Sequence, residues 1–344
     1  MFKIGNTIIS ENHKPFVIAE MSGNHNQSLE RAIEIVDAAA AAGAHALKLQ
    51  TYTADTITMK GITVIQDSNS LWNGMELHDL YSKASTPWEW HKVIFDRAKE
   101  KGMIAFSSPF DETAVDFLET LDVPAYKIAS FENCDWQLLR KVARTGKPVI
   151  MSTGVTNLSD IDESVRVLRE EGCKDIILLK CTSTYPASPE NTNLLTIPHL
   201  LNTCGCLTGL SDHTLGIGVS VAAVALGARV IEKHFCLSRA QGGVDSAFSL
   251  EPAEFKLLVE ECERAFLALG HVQYGIQEVE KKSLTFKRSL YVSKDIKAGE
   301  KFTSDNVRSI RPGFGMAPKY YQDIIGRTAQ TDIKGGTPLT FELI

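Results

Sequence analysis

Short apolar runs alternate with longer amphipathic stretches along the chain from residue 16 onwards. Each apolar run is six or seven residues long and rich in Val, Ile or Leu, as is typical of strands buried on both faces of a parallel sheet. The pattern therefore predicts eight strands. They are Phe16–Met21, Ala46–Thr51, Met103–Pro109, Ala125–Ser130, Pro148–Thr153, Ile176–Thr182, Cys206–Asp212 and Arg229–Phe235.

The stretches between these runs have helical patterns. Thr86, Pro87 and Glu89 combine a capping box with a proline at the first helical position, which predicts a helix that continues to Lys101. The other predicted helices are Ser28–Ala42, Asp111–Thr120, Asp135–Arg144, Ser159–Glu171, Leu194–Leu201, Gly216–Leu226 and Glu251–Leu269.

Eight strands, each followed by a helix, are the count of a (β/α)8 TIM barrel, which is an α/β fold. A doubly wound open sheet is the alternative, and it normally carries a Gly-x-Gly-x-x-Gly motif after its first strand. The first predicted strand has no such motif, because it leads into Met21-Ser22-Gly23-Asn24-His25. We therefore expect a barrel with its active site at the carboxyl ends of the strands.

The pattern changes after residue 270. Residues 271–286 are polar and charged and are expected to form a linker, and residues 287–344 are expected to form a small β-rich domain after the catalytic barrel of residues 1–270. The insert between Thr51 and Pro87 is too long for an ordinary strand-to-helix connection. It is either a substrate loop or a solvated decoration with a short helix. Strands and turns of the small domain are predicted at Arg288–Val292, Lys294–Glu300, Val307–Arg311 and Gly335–Pro338.

Composition limits the classes of function. The 344 residues carry a formal net charge of −6 and a hydrophobic fraction of 44%, which excludes a disordered chain and argues against a nucleic-acid partner. No apolar segment is long enough for a membrane span, and the N-terminus does not resemble a signal peptide. The seven scattered cysteines predict reduced, buried thiols, and hence a cytoplasmic location.

Polar side chains recur where the predicted strands end. Lys48 and Lys127 lie within otherwise apolar strands, where a charged side chain is costly unless it is paired. Ammonium groups surrounded by hydroxyls predict a site for a phosphate and a carboxylate. The polar strand ends also include Glu20, Gln50, Ser108, Ser130, Ser152, Ser183, Tyr185 and Ser211.

His213 and His234 are predicted metal ligands, because they end adjacent strands and their imidazoles would meet there. Two neutral imidazoles with carboxylate and water ligands suit a divalent transition metal such as Mn²⁺. Glu20 is expected either to complete the ligand set or to act as a base. His25 is a less certain candidate for the same site.

Several motifs in order along the chain resemble the sialic acid synthase family, whose members condense phosphoenolpyruvate with a six-carbon amino sugar. Arg311-Pro312-Gly313-Phe314-Gly315 is similar to the antifreeze-like (SAF) domain that closes such enzymes. The resemblance covers essentially the whole chain and implies a TIM barrel followed by a SAF domain. The barrel motifs are Ile18–His25, Lys48–Tyr52, Ser108–Phe110, Ala125–Ser130, Ser152–Gly154, Gly209–His213 and Glu232–Phe235.

The resemblance implies a role for each matching residue. It makes Glu20, Lys48, Lys127, His213 and His234 the catalytic group, with a divalent metal, Mn²⁺ or alternatively Mg²⁺ or Co²⁺, on His213 and His234. It assigns phosphoenolpyruvate contacts to Lys48, Ser108, Lys127, Ser130, Ser152, Ser183 and Ser211. It assigns sugar contacts to Gln50, Asn73, Tyr185, Asp245 and Arg311. Arg311 would reach the active site of a partner chain, which implies a homodimer.

Within the family, three segments resemble the branch that makes pseudaminic acid from a 6-deoxy, diacetamido sugar. They are Leu71–Tyr81, Thr86–His91 and Cys181–Pro186. Ser183 stands where the N-acetylneuraminate branch typically carries Asn, and Val244–Leu250 departs from the Gly-Pro-Asp pattern of that branch. The alternatives are the same reaction giving N-acetylneuraminic or legionaminic acid and, remotely, a non-enzymatic protein that binds ice or a carbohydrate surface.

Overall fold

The computed structural model of the chain describes residues 2–68 and 70–344. Contacts between residues divide the chain into two compact units, Met1–Gly270 and His271–Ile344. Within the described residues, no helix is both long enough and apolar enough to cross a membrane.

The first unit is a closed barrel of eight parallel strands, which confirms the predicted (β/α)8 fold. The barrel closes between the strands Val230–His234 and Phe16–Glu20. His234 pairs there with Glu20, and Glu20 pairs in turn with Lys48 of the strand Ala46–Thr51. The predicted polar strand ends are therefore neighbours in register. The barrel strands are β3 (Phe16–Glu20), β4 (Ala46–Thr51), β5 (Ile104–Pro109), β6 (Tyr126–Ile128), β7 (Val149–Ser152), β8 (Ile176–Cys181), β9 (Leu207–Asp212) and β10 (Val230–His234).

Helices follow the strands as predicted, with boundaries set by local capping. Ser28 accepts a hydrogen bond from the Arg31 amide at the start of α1, and Asp111 caps α5 in the same way. The helices of this unit are α1 (Leu29–Ala41), α2 (Ala54–Ile57), α3 (Leu77–Ala84), α4 (Trp88–Glu100), α5 (Glu112–Thr120), α6 (Trp136–Ala143), α7 (Leu158–Glu170), α8 (Thr196–Cys204), α9 (Gly218–Ala225) and α10 (Pro252–Leu269).

Helix α8 differs from its prediction of Leu194–Leu201. It begins at Thr196, so that Pro198 falls in the first turn, where a backbone N–H has no partner within the helix in any case. It ends at Cys204, and the following Gly205 caps it in the left-handed conformation with φ of +62°. The proline therefore shifts the helix towards the C-terminus without breaking it.

A short antiparallel hairpin precedes the barrel and was not predicted. It consists of β1 (Phe2–Ile4) and β2 (Thr7–Ile9). Phe2, Ile4 and Ile9 are buried in one cluster with Phe16 and Phe106 of the barrel. Each strand has only three residues, which is too few to show an alternating pattern.

The insert between β4 and α4 contains α2 and α3, joined by a loop in which Val64 pairs with Glu76. The indole N–H of Trp72 in this loop donates to the backbone oxygen of Val244, at 3.0 Å. The insert is thereby tied to the loop that follows β10.

The second unit contains one two-stranded antiparallel sheet of β11 (Ser289–Val292) and β12 (Val307–Ile310), and the helix α11 (Tyr321–Ile324). Leu290, Phe302 and Leu339 belong to its own buried core. The segments predicted at Lys294–Glu300 and Gly335–Pro338 contribute isolated bridges only, such as Ile296 with Ile333. Residues Glu278–Phe286 form a 3-10 helix within the stretch expected to be a linker.

Candidate active site

Two lysines and two glutamates lie together inside the barrel. Lys48 Nζ forms an ion pair with Glu20 and lies 3.8 Å from Glu232 Oε1. Lys127 Nζ lies 3.7 Å from the same Glu232 oxygen. All four side chains are buried. Two ammonium groups and two carboxylates compensate one another's charge, which is the condition for burying them.

The pKa values of the two carboxyl groups are shifted in opposite directions. Burial raises the pKa of Glu20, although the adjacent Lys48 opposes this shift. Burial also tends to raise the pKa of Glu232, but Lys127 and Lys48 outweigh it, so that this pKa falls below its usual value. Compared with Glu232, Glu20 therefore binds a proton more tightly.

The lysines also differ. Burial opposes the charged form of Lys48, but Glu20 and Glu232 outweigh it and the pKa of Lys48 is raised. For Lys127 burial prevails, and its pKa is lowered. The pKa values of the two lysines are therefore shifted in opposite directions, and an anionic ligand beside Lys127 would favour its charged form.

Serine hydroxyls surround the lysines. Lys48 Nζ donates to Ser108 Oγ at 3.2 Å, and Lys127 Nζ donates to Ser152 Oγ at 2.7 Å. Ser211 Oγ donates to Glu232 Oε1 at 3.2 Å, while Glu232 Oε2 is buried without a hydrogen-bond partner.

Gly154 shapes the other side of this pocket. Its backbone N–H donates to Ser130 Oγ at 3.2 Å. A Cβ atom at this position would lie 2.2 Å from Ser183 Oγ and 2.7 Å from Ser130 Oγ. Only glycine therefore leaves both hydroxyls where they stand, and the predicted phosphoenolpyruvate residues are brought together around one polar pocket.

His213 and His234 lie side by side, with ring centroids 5.3 Å apart. His213 Nδ1 is 3.0 Å from the backbone oxygen of Thr182, and Nδ1 as donor leaves Nε2 with its lone pair. Burial is the largest influence on the pKa of His213, but hydrogen bonding to Cys181 and Thr182 outweighs it and the pKa is raised.

Burial lowers the pKa of His234 well below its ordinary value, and its Nδ1 has no hydrogen-bond partner. The carboxylate of Asp245 lies 3.7 Å from that nitrogen. A neutral, unpartnered imidazole beside another imidazole and a carboxylate fits a divalent metal. Within residues 2–68 and 70–344, no three His, Cys, Asp or Glu side chains are close enough to hold a metal by themselves. Water or substrate oxygens would supply the remaining ligands.

Aromatic rings enclose the two imidazoles. Tyr185 lies 4.4 Å from the ring of His213, and Phe248 lies 4.9 Å from the ring of His234, measured between centroids. Asp245 accepts a hydrogen bond from Ser22 Oγ at the edge of this enclosure. Gln50 pairs in register with Ser108. It lies two residues after Lys48, so both side chains are on the same face of β4.

Two candidate residues, Asn73 and His25, are not brought to this group. Asn73 is exposed, and its side-chain oxygen accepts from the Asp67 backbone N–H at 3.1 Å. Arg311 belongs to the second unit. Both ring nitrogens of His25 are occupied, one near Thr86 Oγ1 at 3.1 Å and the other by the Gln27 N–H, so His25 is not free to bind a metal.

The sequence analysis missed Glu232 and Glu132 as site residues. Glu232 alternates with His234 along β10, and this period of two was a usable signal. Glu132 follows Ser130 in a 3-10 helix and had no signal, because its importance comes from burial. Burial raises the pKa of Glu132 to about 7, and its Oε2 has no hydrogen-bond partner.

Cys181 is also part of the site, although the sequence analysis predicted only reduced, buried thiols. Its sulfur lies 3.9 Å from His213 Nδ1 and 3.7 Å from Ser183 Oγ. Burial would raise the pKa of this thiol, but His213 outweighs burial and lowers it to about 6. The other cysteines are also unpaired.

Comparisons with known proteins agree with this geometry. Residues 35–274 match the model of the NeuB family, and residues 287–344 match that of the SAF domain. A pseudaminic acid synthase from Campylobacter jejuni is 45% identical over 98% of both chains. One from Helicobacter pylori is 42% identical over 95% of this chain and 96% of its own.

Solved structures give the same result. The N-acetylneuraminic acid synthetase of Leptospira borgpetersenii is 32% identical with a TM-score of 0.74, covering 83% of this chain and 95% of that one. The spore coat polysaccharide biosynthesis protein SpsE of Bacillus subtilis is 32% identical with a TM-score of 0.68, covering 100% of this chain and 98% of that one. The resemblance to sialic acid synthases is thus confirmed, and this chain belongs to the NeuB family and carries a C-terminal SAF domain.

Proposed function

We propose that this chain is a phosphoenolpyruvate-dependent transferase that makes pseudaminic acid. It condenses phosphoenolpyruvate with 2,4-diacetamido-2,4,6-trideoxy-L-altrose and releases phosphate. The observation that carries the proposal is the pocket of two lysines and several serines that adjoins a pair of imidazoles. The 45% identity to a pseudaminic acid synthase over nearly the whole chain supports this sugar.

Phosphoenolpyruvate is the substrate whose charge fits the lysine pocket. Its carboxylate and phosphate would be held by Lys48 and Lys127, whose ammonium groups supply charge, and by serine hydroxyls, which supply directed donors. The ion pairs of these lysines with Glu20 and Glu232 fix the ammonium groups before substrate arrives. Such preorganisation lowers the cost of stabilising charge that develops during the reaction.

The sugar would place its aldehyde beside His213 and His234. These two residues would hold the divalent metal, Mn²⁺ by preference, which supplies Lewis-acid polarisation of a carbonyl when it is bound. Tyr185 and Asp245 line the same space and would orient the sugar chain. Carbon 3 of phosphoenolpyruvate then bonds to the aldehyde carbon, the aldehyde oxygen takes a proton from solvent, and positive charge develops at carbon 2.

Glu20 would complete the reaction. Its carboxylate stabilises the positive charge at carbon 2 and accepts a proton from the water whose oxygen bonds there. Burial raises the pKa of Glu20, so that it can hold this proton and return it. The bond between carbon 2 and the bridging oxygen breaks, and phosphate leaves with that oxygen and with the proton that Glu20 returns. The hydroxyl group on carbon 2 loses its remaining proton to solvent and becomes the keto group of the product.

We further propose that the enzyme is a cytoplasmic homodimer in which Arg311 acts on the partner's active site. The cysteines are all unpaired, as expected in a reducing compartment. The proposed dimer follows the resemblance of the residues around Arg311 to the family's SAF domain.

Phosphate release tests the function. The chain is supplied with Mn²⁺, phosphoenolpyruvate and either the altrose derivative or N-acetylmannosamine, with a legionaminic acid precursor as a third arm. We expect release with the altrose derivative alone. Release with another sugar alone would keep the reaction and overturn the substrate, and no release with any sugar would overturn both. In ¹⁸O water, label in the phosphate instead of the product would contradict cleavage of the C–O bond.

A further inference from the structure

We infer that Trp72 forms an apolar subsite that selects the acetamido and methyl groups of the sugar. This inference rests on the proposed function, because it concerns the sugar that the same site takes. The sequence had assigned a sugar contact in this loop to the neighbouring Asn73, whose amide is engaged within the loop. The geometry points to the indole instead.

Trp72 lies beside the aromatic rings that surround the two imidazoles. Its ring centroid lies 5.9 Å from that of Tyr185, and the Tyr185 centroid lies 4.4 Å from that of His213. The indole therefore continues the aromatic wall outward from the imidazoles. A sugar with its aldehyde at the imidazoles would extend its distal carbons along this wall.

The indole is also held in place. Its N–H donates to the backbone oxygen of Val244, the residue before Asp245. Val244 itself packs on Gly23, where an added Cβ atom would lie 2.3 Å from the valine Cγ2. The loops of Trp72 and Val244 are thus joined at the indole. The hydrogen bond uses the polar edge of the ring, while the ring face is left to apolar contact.

The chemistry of the wall matches one class of sugar. The ring centroids of Tyr185 and Phe248 lie 5.2 Å apart, so that the ring next to Trp72 belongs to an aromatic cluster in which Phe248 is buried. The altrose derivative carries two acetamido methyl groups and a methyl group at carbon 6. N-acetylmannosamine carries one acetamido methyl and a polar hydroxymethyl group. Trp72 therefore favours the former by packing and disfavours the latter by leaving its hydroxyl groups against an apolar face.

Substitution of Trp72 tests the inference through the specificity for the sugar. Trp72→Ala is expected to raise the KM for the altrose derivative by about tenfold, the scale of one lost apolar contact in a pocket, with the KM for phosphoenolpyruvate unchanged. Trp72→Phe keeps an aromatic face but loses the hydrogen bond to Val244, and is expected to restore most of the affinity. Trp136→Phe, which alters an exposed indole on α6, is the matched control.

Binding without turnover provides the second readout. The borohydride-reduced altrose derivative has no aldehyde, and calorimetry would measure its dissociation constant for the wild type and both variants. An unchanged constant in Trp72→Ala would overturn the subsite. An equal loss in Trp72→Phe and Trp72→Ala would also overturn it, since the indole would then act only through Val244. If the wild type neither binds nor converts the altrose derivative, the proposed function fails instead.

Discussion

Asp212 and Lys233 form an ion pair of 2.8 Å whose side chains are both completely inaccessible to solvent. They are partners in register on β9 and β10, and each immediately precedes one of the paired histidines, His213 and His234. Asp212 also accepts from Ser220 Oγ at 2.6 Å. The ion pair therefore joins the two strands that present the imidazoles.

Breaking this pair should destabilise the barrel. Asp212→Asn and Lys233→Met each leave one charge buried without its partner, which costs about 3–5 kcal/mol of unfolding free energy. The double variant should lose less than the two single variants together. Urea unfolding measures these values. Lys92→Met removes the exposed pair with Asp96 and should cost at most about 1 kcal/mol. If Asp212→Asn and Lys233→Met lost no more unfolding free energy than Lys92→Met, the ion pair would not stabilise the barrel.

Metal binding should depend on the paired imidazoles. His213→Ala is expected to weaken Mn²⁺ binding by more than the roughly 10–100-fold that loss of an outer partner causes, because it removes a ligand itself. Calorimetric titration of the folded variant with Mn²⁺ measures this without reference to activity. His199→Ala changes an exposed histidine and should bind as the wild type does. Full stoichiometry and affinity in His213→Ala would refute the assignment.

Two other histidines should make the fold sensitive to acid. Burial lowers the pKa of His25 and of His91 to about 4. The unfolded chain has the ordinary value of 6.5, so it takes up these protons first. The stabilising contribution of each neutral histidine is complete above pH 6.5 and is lost as the pH falls through 4. The free energy of unfolding then decreases by up to about 3 kcal/mol for each histidine.

The measurement is urea unfolding of the wild type and of His25→Gln between pH 7 and pH 4. The variant is less stable at pH 7, since it loses the hydrogen bonds of His25 with Thr86 and Gln27. Its deficit should shrink as the pH falls, because it has no buried imidazole to protonate. A deficit that stays constant over this range would show that His25 does not titrate as proposed.

The order of strands and helices was predictable because each barrel strand is buried on both faces and is therefore rich in apolar residues. The hairpin Phe2–Ile9 was not predictable, since its apolar residues alternate over only three positions per strand. The residues at strand ends were predictable for a similar reason. Lys48 and Lys127 stand out against apolar neighbours, and parallel strands bring their carboxyl ends together.

Other site residues depend on contacts between loops, and sequence spacing does not encode these. Glu132 becomes notable only because other elements bury it, and Trp72 only because its loop folds back to Val244. The sugar contact of Asn73 stays a prediction, and its side-chain oxygen accepts a hydrogen bond within the loop.

Glu132 should destabilise the chain as the pH rises. Burial raises its pKa to about 7, while the unfolded chain keeps the ordinary value of 4.5. The folded state therefore holds the proton more tightly, and this contribution to stability is complete below pH 4.5 and is lost as the pH rises through 7. Glu132→Gln has no such proton. The unfolding free energy of the variant, relative to that of the wild type, should therefore increase by on the order of 2 kcal/mol from pH 5 to pH 8. Thermal or urea unfolding at these two pH values is the measurement, and Glu30→Gln, at an exposed position, should show no comparable gain.

The proposed dimer predicts complementation between two inactive variants. Arg311→Ala would remove the contribution of the SAF domain to the active site, and Lys127→Met would remove a lysine of the barrel. Each variant homodimer should therefore have two defective sites. In a heterodimer isolated with two different affinity tags, one site combines the intact barrel of the first chain with the intact Arg311 of the second. That site should restore about half of the wild-type activity, because a two-fold dimer has two equivalent sites. A heterodimer as inactive as its parents would show that Arg311 does not serve its partner, and a fully active wild-type monomer in sedimentation would remove the need for a partner altogether.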